Sequence, residues 1–403
     1  MKPARLLIVT NGPLARNPRV EKEARLLGLA GHDVTVLGIR NHAPSMAPDA
    51  ALAAGAPFRH LQVDLLGPGP TVWLRRLRIR LTRDFARRLG LSSIRSLGPA
   101  DALLRAVRAH PAELVIVHNE IPHWIGARLI REGRRVGADI EDWHSEDLMP
   151  HDRIGRPLPL LRTVEKTLLR GAVHLTTTSE SLADGLHAAY GGRRPAVVTN
   201  SFPLPPAPRS TEAPSDEPPA FFWFSQTTGT GRGLELFLAA WARTTRPSRL
   251  VLLGEVADGY ARGLLAALPP AFRPRVTFLP LVPPTELPTI IARHDIGLAL
   301  EQAFIRNRDL TITNKILQYL GAGLAVVASD TAGQREVLAR DPAAGLVLPV
   351  HETTALGQAL DELLADPVAL RARQVAARRL AECHYCWERE GSRLLGLVEA
   401  ALR

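Results

Sequence analysis

Seven of the seventeen residues from Pro203 to Pro219, PLPPAPRSTEAPSDEPP, are prolines. Proline fixes φ and lacks the amide that a helix interior or a sheet ladder requires, so this stretch is neither a helix nor a central strand. It reads as an interdomain linker. The chain it divides has 403 residues, more than one ordinary core accommodates. Each half opens in the same way, with a short apolar strand, a glycine-containing loop and a helix. On the left this is RLLIVTNGPLARNPRVEKEARLLGLAGHDVTVLG, and on the right AFFWFSQTTGTGRGLELFLAAWAR.

Further strand candidates alternate with helical stretches at 114–119, 172–179, 196–200, 249–254, 275–280, 296–300 and 324–329. Short apolar runs without clean alternation predict parallel sheets covered on both faces. The expected class is therefore α/β, with two Rossmann-like domains, 1–202 and 220–383, joined by the linker 203–219. Open sheets of this kind take ligands at the carboxyl ends of their strands, so a cleft between the two domains is the expected site.

Composition narrows the function. Hydrophobic content of 46% and charged content of 22% match ordinary globular chains. No apolar run is long enough to span a bilayer. The N-terminal apolar core, LLIV, is too short for a signal peptide, which predicts a cytoplasmic protein. Cys383 and Cys386 lie in CHYC after a helical stretch, with neither a βαβ start nor a second ligand pair; structural thiols are expected. The net charge is +10, nearly all of it from Arg, with Lys only at 2, 22, 166 and 315. In WLRRLRIRLTRDFARRLG, 73–90, Trp73, Leu77, Leu81, Phe85 and Leu89 recur every fourth residue among arginines. This pattern suits a helix lying on an anionic membrane, or else a surface helix packed on its own domain. No nucleic-acid motif accompanies the charge.

Four constellations carry chemistry. The loop SQTTGTGRGLE, 225–235, has glycines that let backbone amides approach a phosphate and an Arg232 able to bind two of its oxygens. It fits neither the Walker pattern nor a strict dinucleotide fingerprint. TNKILQYLGAG, 313–323, has helical spacing with a Thr at its head and glycines at its end. Lys315 in its first turn is mildly unfavourable unless it helps to hold an anion. If the two loops face one site, Arg232 and Lys315 would flank a diphosphate. VHNEIPHW, 117–124, places His118 at a strand end, where it either reaches the cleft or is a buried structural His; Asn119 and Glu120 follow it. DIEDWHSED, 139–147, offers Asp142, His144 and Glu146 as acceptor-side or structural polar groups, with no metal expected.

These stretches, taken in order, resemble a glycosyltransferase of the two-Rossmann GT-B fold, closest to glycosyltransferase family 4. NPRVEKEARLLGLAGHDVTVL resembles that family's first βα unit. DWHSED, TVEKTLLRGAVHLTTTSESLADGL and VVTNSFP resemble the later part of its acceptor domain. SQTTGTGRGLELFLAAW, RVTFLPLVPPTELPTIIARHDIGLAL and TNKILQYLGAGLAVVASD follow as on its donor side. The resemblance implies a nucleoside-diphosphate sugar, UDP- or GDP-linked, in the C-terminal half and an acceptor in the N-terminal half. It implies metal-independent transfer with retention, and a C-terminal helix, about 384–403, that packs back on the first domain. It assigns catalytic roles to His118, Arg232 and Lys315. Donor binding falls to Gly12, Arg16, Thr227, Thr228, Gly229, Leu281, Asp309, Leu310, Thr311, Thr313, Asn314 and Gln318. The acceptor side comprises Asn119, Glu120, Asp142, His144 and Glu146.

The chain departs from the family at Gln318, where a ribose-binding Glu is usual, and at Leu310, where its partner Glu would stand. Gln accepts with one oxygen only. Ser225 and Gln226 replace a usual Gly-Arg, which removes one phosphate cation. No pair of carboxylates suggests a double displacement, so same-face attack is expected, with the leaving diphosphate assisting deprotonation of the acceptor hydroxyl. The expected products belong to envelope or exopolysaccharide synthesis. The rival readings are a nucleotide-sugar epimerase on the same fold and a silent glycan-binding or assembly subunit.

Overall fold

The computed structural model describes residues 2–90, 92–205, 217–349 and 351–403; most of the linker, residues 206–216, lies outside the described residues. The chain divides into two compact units, Met1–Val198 with Gly391–Arg403, and Thr199–Glu390. The last helix, Trp387–Leu402, thus gives its first residues to the second unit and the remainder to the first.

The first unit is built on seven parallel strands, β1 (Arg5–Val9), β2 (Asp33–Arg40), β3 (Arg59–Asp64), β4 (Leu114–His118), β5 (Val136–Ile140), β6 (His174–Thr177) and β7 (Ala196–Val197). Their order is β3-β2-β1-β4-β5-β6-β7. β4 and β5 are buried along their whole length, as central parallel strands should be. β3, RHLQVD, alternates exposed or half-buried residues at the sheet edge, and its polarity hides it from a search for apolar runs. β5, VGADI, is hidden for a different reason. It carries a buried charge, Asp139, which only partners can make tolerable.

The second unit has six parallel strands, β8 (Ala220–Thr228), β9 (Arg249–Val256), β10 (Val276–Leu279), β11 (Ile296–Ala299), β12 (Ala325–Ser329) and β13 (Gly345–Leu348), in the order β10-β9-β8-β11-β12-β13. Alternate residues of β8 feed two cores: Phe221 and Trp223 join one, Phe222 and Phe224 the other. Helices cover both faces, which completes the α/β layering.

Both sheets reverse their winding once, between β1 and β4 in the first unit and between β8 and β11 in the second. Such reversals open a crevice at the strand carboxyl ends.

The helix Pro70–Leu89 buries only Val72 and Ala86. Trp73, Leu74, Leu81, Phe85 and Leu89 are all exposed. Arg87 at its far end lies against Gly155, next to the exposed Ile154. Among the described residues no helix is long and apolar enough to cross a membrane. Cys383 and Cys386 are both free, one exposed and one buried.

Candidate functional site

In the second unit the helix Asn314–Ala322 begins where the sequence places it. The Thr313 side chain caps it by accepting from the Ile316 amide at 3.5 Å, and it stops at Gly323, whose φ is 73°. The inner face packs hard on β11. A Cβ on Gly297 would sit 2.2 Å from the Tyr319 ring, so only glycine fits there. This packing sets the helix start beside the reversal between β8 and β11.

Lys315, in the first turn, points inward and is almost wholly enclosed. Its Nζ is 3.3 Å from Oε1 of Glu301, the second residue beyond β11. Arg232, in the loop after β8, places a guanidinium nitrogen 3.8 Å from the same oxygen. The structure therefore brings together the two cations singled out in the sequence, and it does so across the switch point. Lys315 also lies over the Trp223 ring, 5.6 Å from its centre, a distance at which a cation is attracted by the ring face. Burial pulls the Lys315 pKa down, and the Glu301 carboxylate opposes that pull.

Glu301 is absent from the sequence-based site. The available signal was its position, the first charged residue after the apolar run IGLAL. Its side chain is 6% exposed, and its Oε2 has no hydrogen-bond partner. The amide of Glu301 donates to Ser329 Oγ at 2.7 Å, and Gln334 Nε2 donates to the same hydroxyl at 2.8 Å.

The other residues of this unit that are expected to bind the donor lie on several of its elements. Thr227 is exposed, Thr228 is buried with an unpaired hydroxyl, and both end β8 after a register shift between Phe224 and Thr227. Ser225 and Gln226 form that bulge, which redirects the strand end toward the loop. Gly254 makes room for it, because a Cβ there would meet the Ser225 carbonyl at 2.3 Å. Gly229 and Arg232 border a cavity of about 800 Å3 whose floor includes Leu238 and Leu264. At its rim Tyr260 Oη donates to Glu235 at 2.8 Å. Asp309 accepts from the Ala332 amide, and Thr311 donates to the Asn307 carbonyl. Leu310 is half-buried. Asn314 is exposed at the helix start, Gln318 is half-buried one turn on, and Leu281 is exposed in the loop after β10.

In the first unit the reversal is bridged by Asn119. Its Oδ1 accepts from Thr10 Oγ1 at 3.0 Å, the Asn11 amide at 3.3 Å and Asn17 Nδ2 at 3.4 Å. Its backbone has φ 69° and ψ 176°, and it is the one positive-φ non-glycine among the described residues. That region is essentially reserved for glycine, and holding another residue there costs about 1–3 kcal/mol. Gly12 and Arg16 follow Thr10 in the same loop; Gly12 has open space around it and Arg16 is exposed. Glu120 pairs with Arg156.

His118 has no exposed surface. Its Nε2 is 2.8 Å from Glu23 and its Nδ1 is 3.3 Å from Asp139 and 3.5 Å from Glu141. The carboxylates on both sides raise its pKa well above that of a free imidazole, against the effect of burial. The helix Pro18–Leu29 supplies Glu23 and the buried bases Arg19 and Lys22. Arg19 donates to both oxygens of Asp139, at 2.6 and 2.7 Å, and to the Val198 carbonyl. His118, Asp139 and Glu141 bring ligand atoms within 4.8 Å of one another. A cation there would have to displace both the guanidinium and the imidazole proton. The arrangement is an ion-pair network. His118 is enclosed and hydrogen-bonded to Glu23.

The acidic run 139–147 divides by direction. Trp143 and Ser145 turn inward, where Ser145 Oγ and Tyr190 Oη each donate to Glu165 at 2.7 Å and Trp143 Nε1 reaches Tyr190. Asp142, His144 and Glu146 are half-buried. Glu146 pairs with Arg153 and Arg162. Burial lowers the His144 pKa to about 4, which leaves it neutral at physiological pH, 5.4 Å from the His123 ring.

Comparison with known proteins agrees with this layout. Residues 17–203 match the family described as glycosyl transferase 4-like domain, and residues 218–366 the family described as glycosyl transferases group 1. Over 87 residues the chain is 32% identical to a GDP-mannose-dependent monoacylated alpha-(1-6)-phosphatidylinositol monomannoside mannosyltransferase of Corynebacterium glutamicum; the match spans 22% of each chain. Among solved structures, sucrose-phosphate synthase from Thermosynechococcus elongatus superposes over 98% of both chains with a TM-score of 0.71 at 15% identity. Anabaena HepE in complex with UDP-glucose superposes over 98% of this chain and 100% of that one, also with a TM-score of 0.71 at 15% identity. At such identity the likeness establishes the fold, α/β of the GT-B type.

Proposed function

We propose, for a chain that belongs to the group 1 and 4-like glycosyltransferases, that it transfers a sugar from a nucleoside-diphosphate donor to a hydroxyl of a glycan or glycolipid. The observation that carries this reading is the convergence of Arg232 and Lys315 on one buried carboxylate at the switch point of the second unit. Two cations at a helix start meet the charge of a diphosphate, and they meet more of it as the sugar leaves. Thr311, Thr313 and Asn314 add side chains and amides beside them, and Thr227, Thr228 and Gly229 border them from the loop. Gln318 faces the ribose. The donor roles of Gly12, Arg16, Asp309, Leu310 and Leu281 rest on the resemblance.

The transfer retains configuration by same-face attack and uses no metal; the leaving diphosphate takes the acceptor proton. Asn119, Glu120, Asp142, His144 and Glu146 serve the acceptor half. His118, held as an imidazolium between carboxylates, acts there by fixing the end of β4. The protein works in the cytoplasm and touches anionic membrane through the helix Pro70–Leu89, where lipid-linked acceptors reside. The exposed Trp73, Leu81, Phe85 and Leu89 among arginines support that contact.

The test is a thermal-shift panel of UDP, GDP, ADP and dTDP on wild type and Lys315→Ala. A nucleotide present at about 100 times its Kd stabilises the native state by about 2.7 kcal/mol. One nucleotide should raise the melting temperature of wild type and lose that effect in the variant. A flat panel would favour the silent-subunit reading, which the Gln at position 318 already suits. Consumption of a sugar nucleotide with no acceptor present would favour the epimerase.

A further inference from the structure

Glu301 is unusual for its surroundings. A carboxylate with 6% exposure is shared at one oxygen between Lys315 Nζ at 3.3 Å and Arg232 at 3.8 Å, and its second oxygen is enclosed without a partner. Asp139, by contrast, has both of its oxygens engaged by Arg19. Here both cations crowd the same side, and one of them sits where an apolar environment favours the neutral amine.

Three charged side chains act on Lys315 besides its burial. Glu301 beyond β11 favours the ammonium, whereas Arg232 after β8 and Arg308 of the helix Arg306–Leu310 oppose it. Trp223 of β8 contributes its ring face. Two neighbouring positive charges therefore stand against a single negative one. Without Glu301 the charges that act most on this desolvated amine, Arg232 and Arg308, are both positive, a setting in which a lysine gives up its proton more readily.

We propose that Glu301 is a positioning residue for the Arg232–Lys315 pair: its buried carboxylate holds the two cations side by side, in charged form, until an anionic ligand takes them over. Its role rests on the donor-site reading but acts through Lys315, not through contact with the reacting atoms. Arg232 and Lys315 then stand ready as a pair, and a diphosphate exchanges one carboxylate contact for several oxygens.

The chain has four lysines, Lys2, Lys22, Lys166 and Lys315, so 13Cε-lysine NMR follows each by titration, with Lys315 assigned by its loss in Lys315→Ala. In Glu301→Gln the Lys315 midpoint should fall by about one pH unit or more relative to wild type. In Glu301→Asp, which keeps the charge, it should stay nearer wild type. An unchanged midpoint in Glu301→Gln overturns the proposal. If that variant does not fold, Arg232→Gln replaces it, since Arg232 is a partly exposed loop residue. Removing one of two cations sharing the carboxylate should raise the Lys315 midpoint, and no change would again overturn it.

Nucleotide affinity measured at pH 6 and pH 9 supplies the functional arm. Glu301→Gln should lose more affinity between pH 6 and pH 9 than wild type does, because its ammonium is titrated at lower pH. A loss that is equal at both pH values marks a merely structural residue and overturns the assignment. Absence of nucleotide binding by wild type, with the lysine shift intact, would sink the donor reading while leaving Glu301's hold on Lys315 standing.

Discussion

Arg19 and Asp139 are separated by 120 residues and meet through two hydrogen bonds of 2.6 and 2.7 Å with almost no exposure to water. Each is a charge that the interior would reject alone. The pair holds the helix Pro18–Leu29 against β5, and Thr176 Oγ1 adds a third donor to Asp139 at 2.5 Å. Asp139→Ala takes both hydrogen-bonded oxygens from a buried guanidinium and leaves it only Glu141, 4.0 Å away. Removal of one partner of such a pair costs about 3–5 kcal/mol, and urea unfolding should show a midpoint lowered accordingly. A change below about 1 kcal/mol, the range of exposed pairs, would mean that water reaches the cluster.

The imidazolium of His118 gives stability a definite pH dependence. Its folded pKa is raised, so its contribution is complete below the unfolded value of about 6.5 and is lost as pH climbs through the folded value. The stability gap between wild type and His118→Asn should therefore be larger at pH 6 than at pH 9 or above. Denaturant titrations at a series of pH values would reveal this; a gap independent of pH contradicts the ion-pair network.

His144 works in the opposite direction. Its pKa is lowered to about 4 by burial, so the folded protein resists a proton that the unfolded chain accepts from about pH 6.5 downward. Stability should fall with pH across that window, by up to about 1.4 kcal/mol per unit for one proton. His144→Gln should reduce that slope, as measured by urea midpoints at pH 6.5, 5.5 and 4.5.

Strain at Asn119 is separable from its hydrogen bonds. Both Asn119→Ala and Asn119→Gly remove the acceptor for Thr10, Asn11 and Asn17, but only glycine relaxes at φ 69°. Alanine should therefore be less stable than glycine by about 1–2 kcal/mol. Equal unfolding free energies would show that the backbone there relaxes freely.

The close contact of Gly297 with Tyr319 is the packing counterpart. Gly297→Ala drives a methyl into the ring and should cost about 1–3 kcal/mol or more. Because Tyr319 lies one turn after Lys315, nucleotide affinity should fall with the melting temperature. Retained stability would mean that the ring moves aside.

The helix Pro70–Leu89 offers a prediction about lipid. Exposed Leu81 and Phe85 would each gain about 1.5–3 kcal/mol on burial in a bilayer. Leu81→Asp with Phe85→Asp should weaken binding to anionic vesicles on the order of 100-fold, with the melting temperature unchanged. Equal sedimentation of both proteins with vesicles would rule out this helix as the contact.

Much of the layout was legible in the linear chain because it follows from local rules. Period and apolarity mark β1, β4, β8, β9, β11 and β12. Thr313 and Gly323 bound the helix Asn314–Ala322, since capping is a matter of neighbouring residues. The polar edge strand β3 and the charge-bearing β5 escaped because their residues are chosen for edge exposure and for distant partners. Arg232 and Lys315 are legible as cations beside phosphate-friendly elements, and as a pair only on the condition that their loops face one site. That they share a carboxylate, that the carboxylate is Glu301, and that His118 faces Glu23 and Asp139 rather than solvent, was decided by tertiary structure alone. The physical reason is common to all three. A buried charge is set by what the fold brings within a few ångströms of it, and parallel sheets with crossover connections assemble those neighbours from residues far apart in sequence.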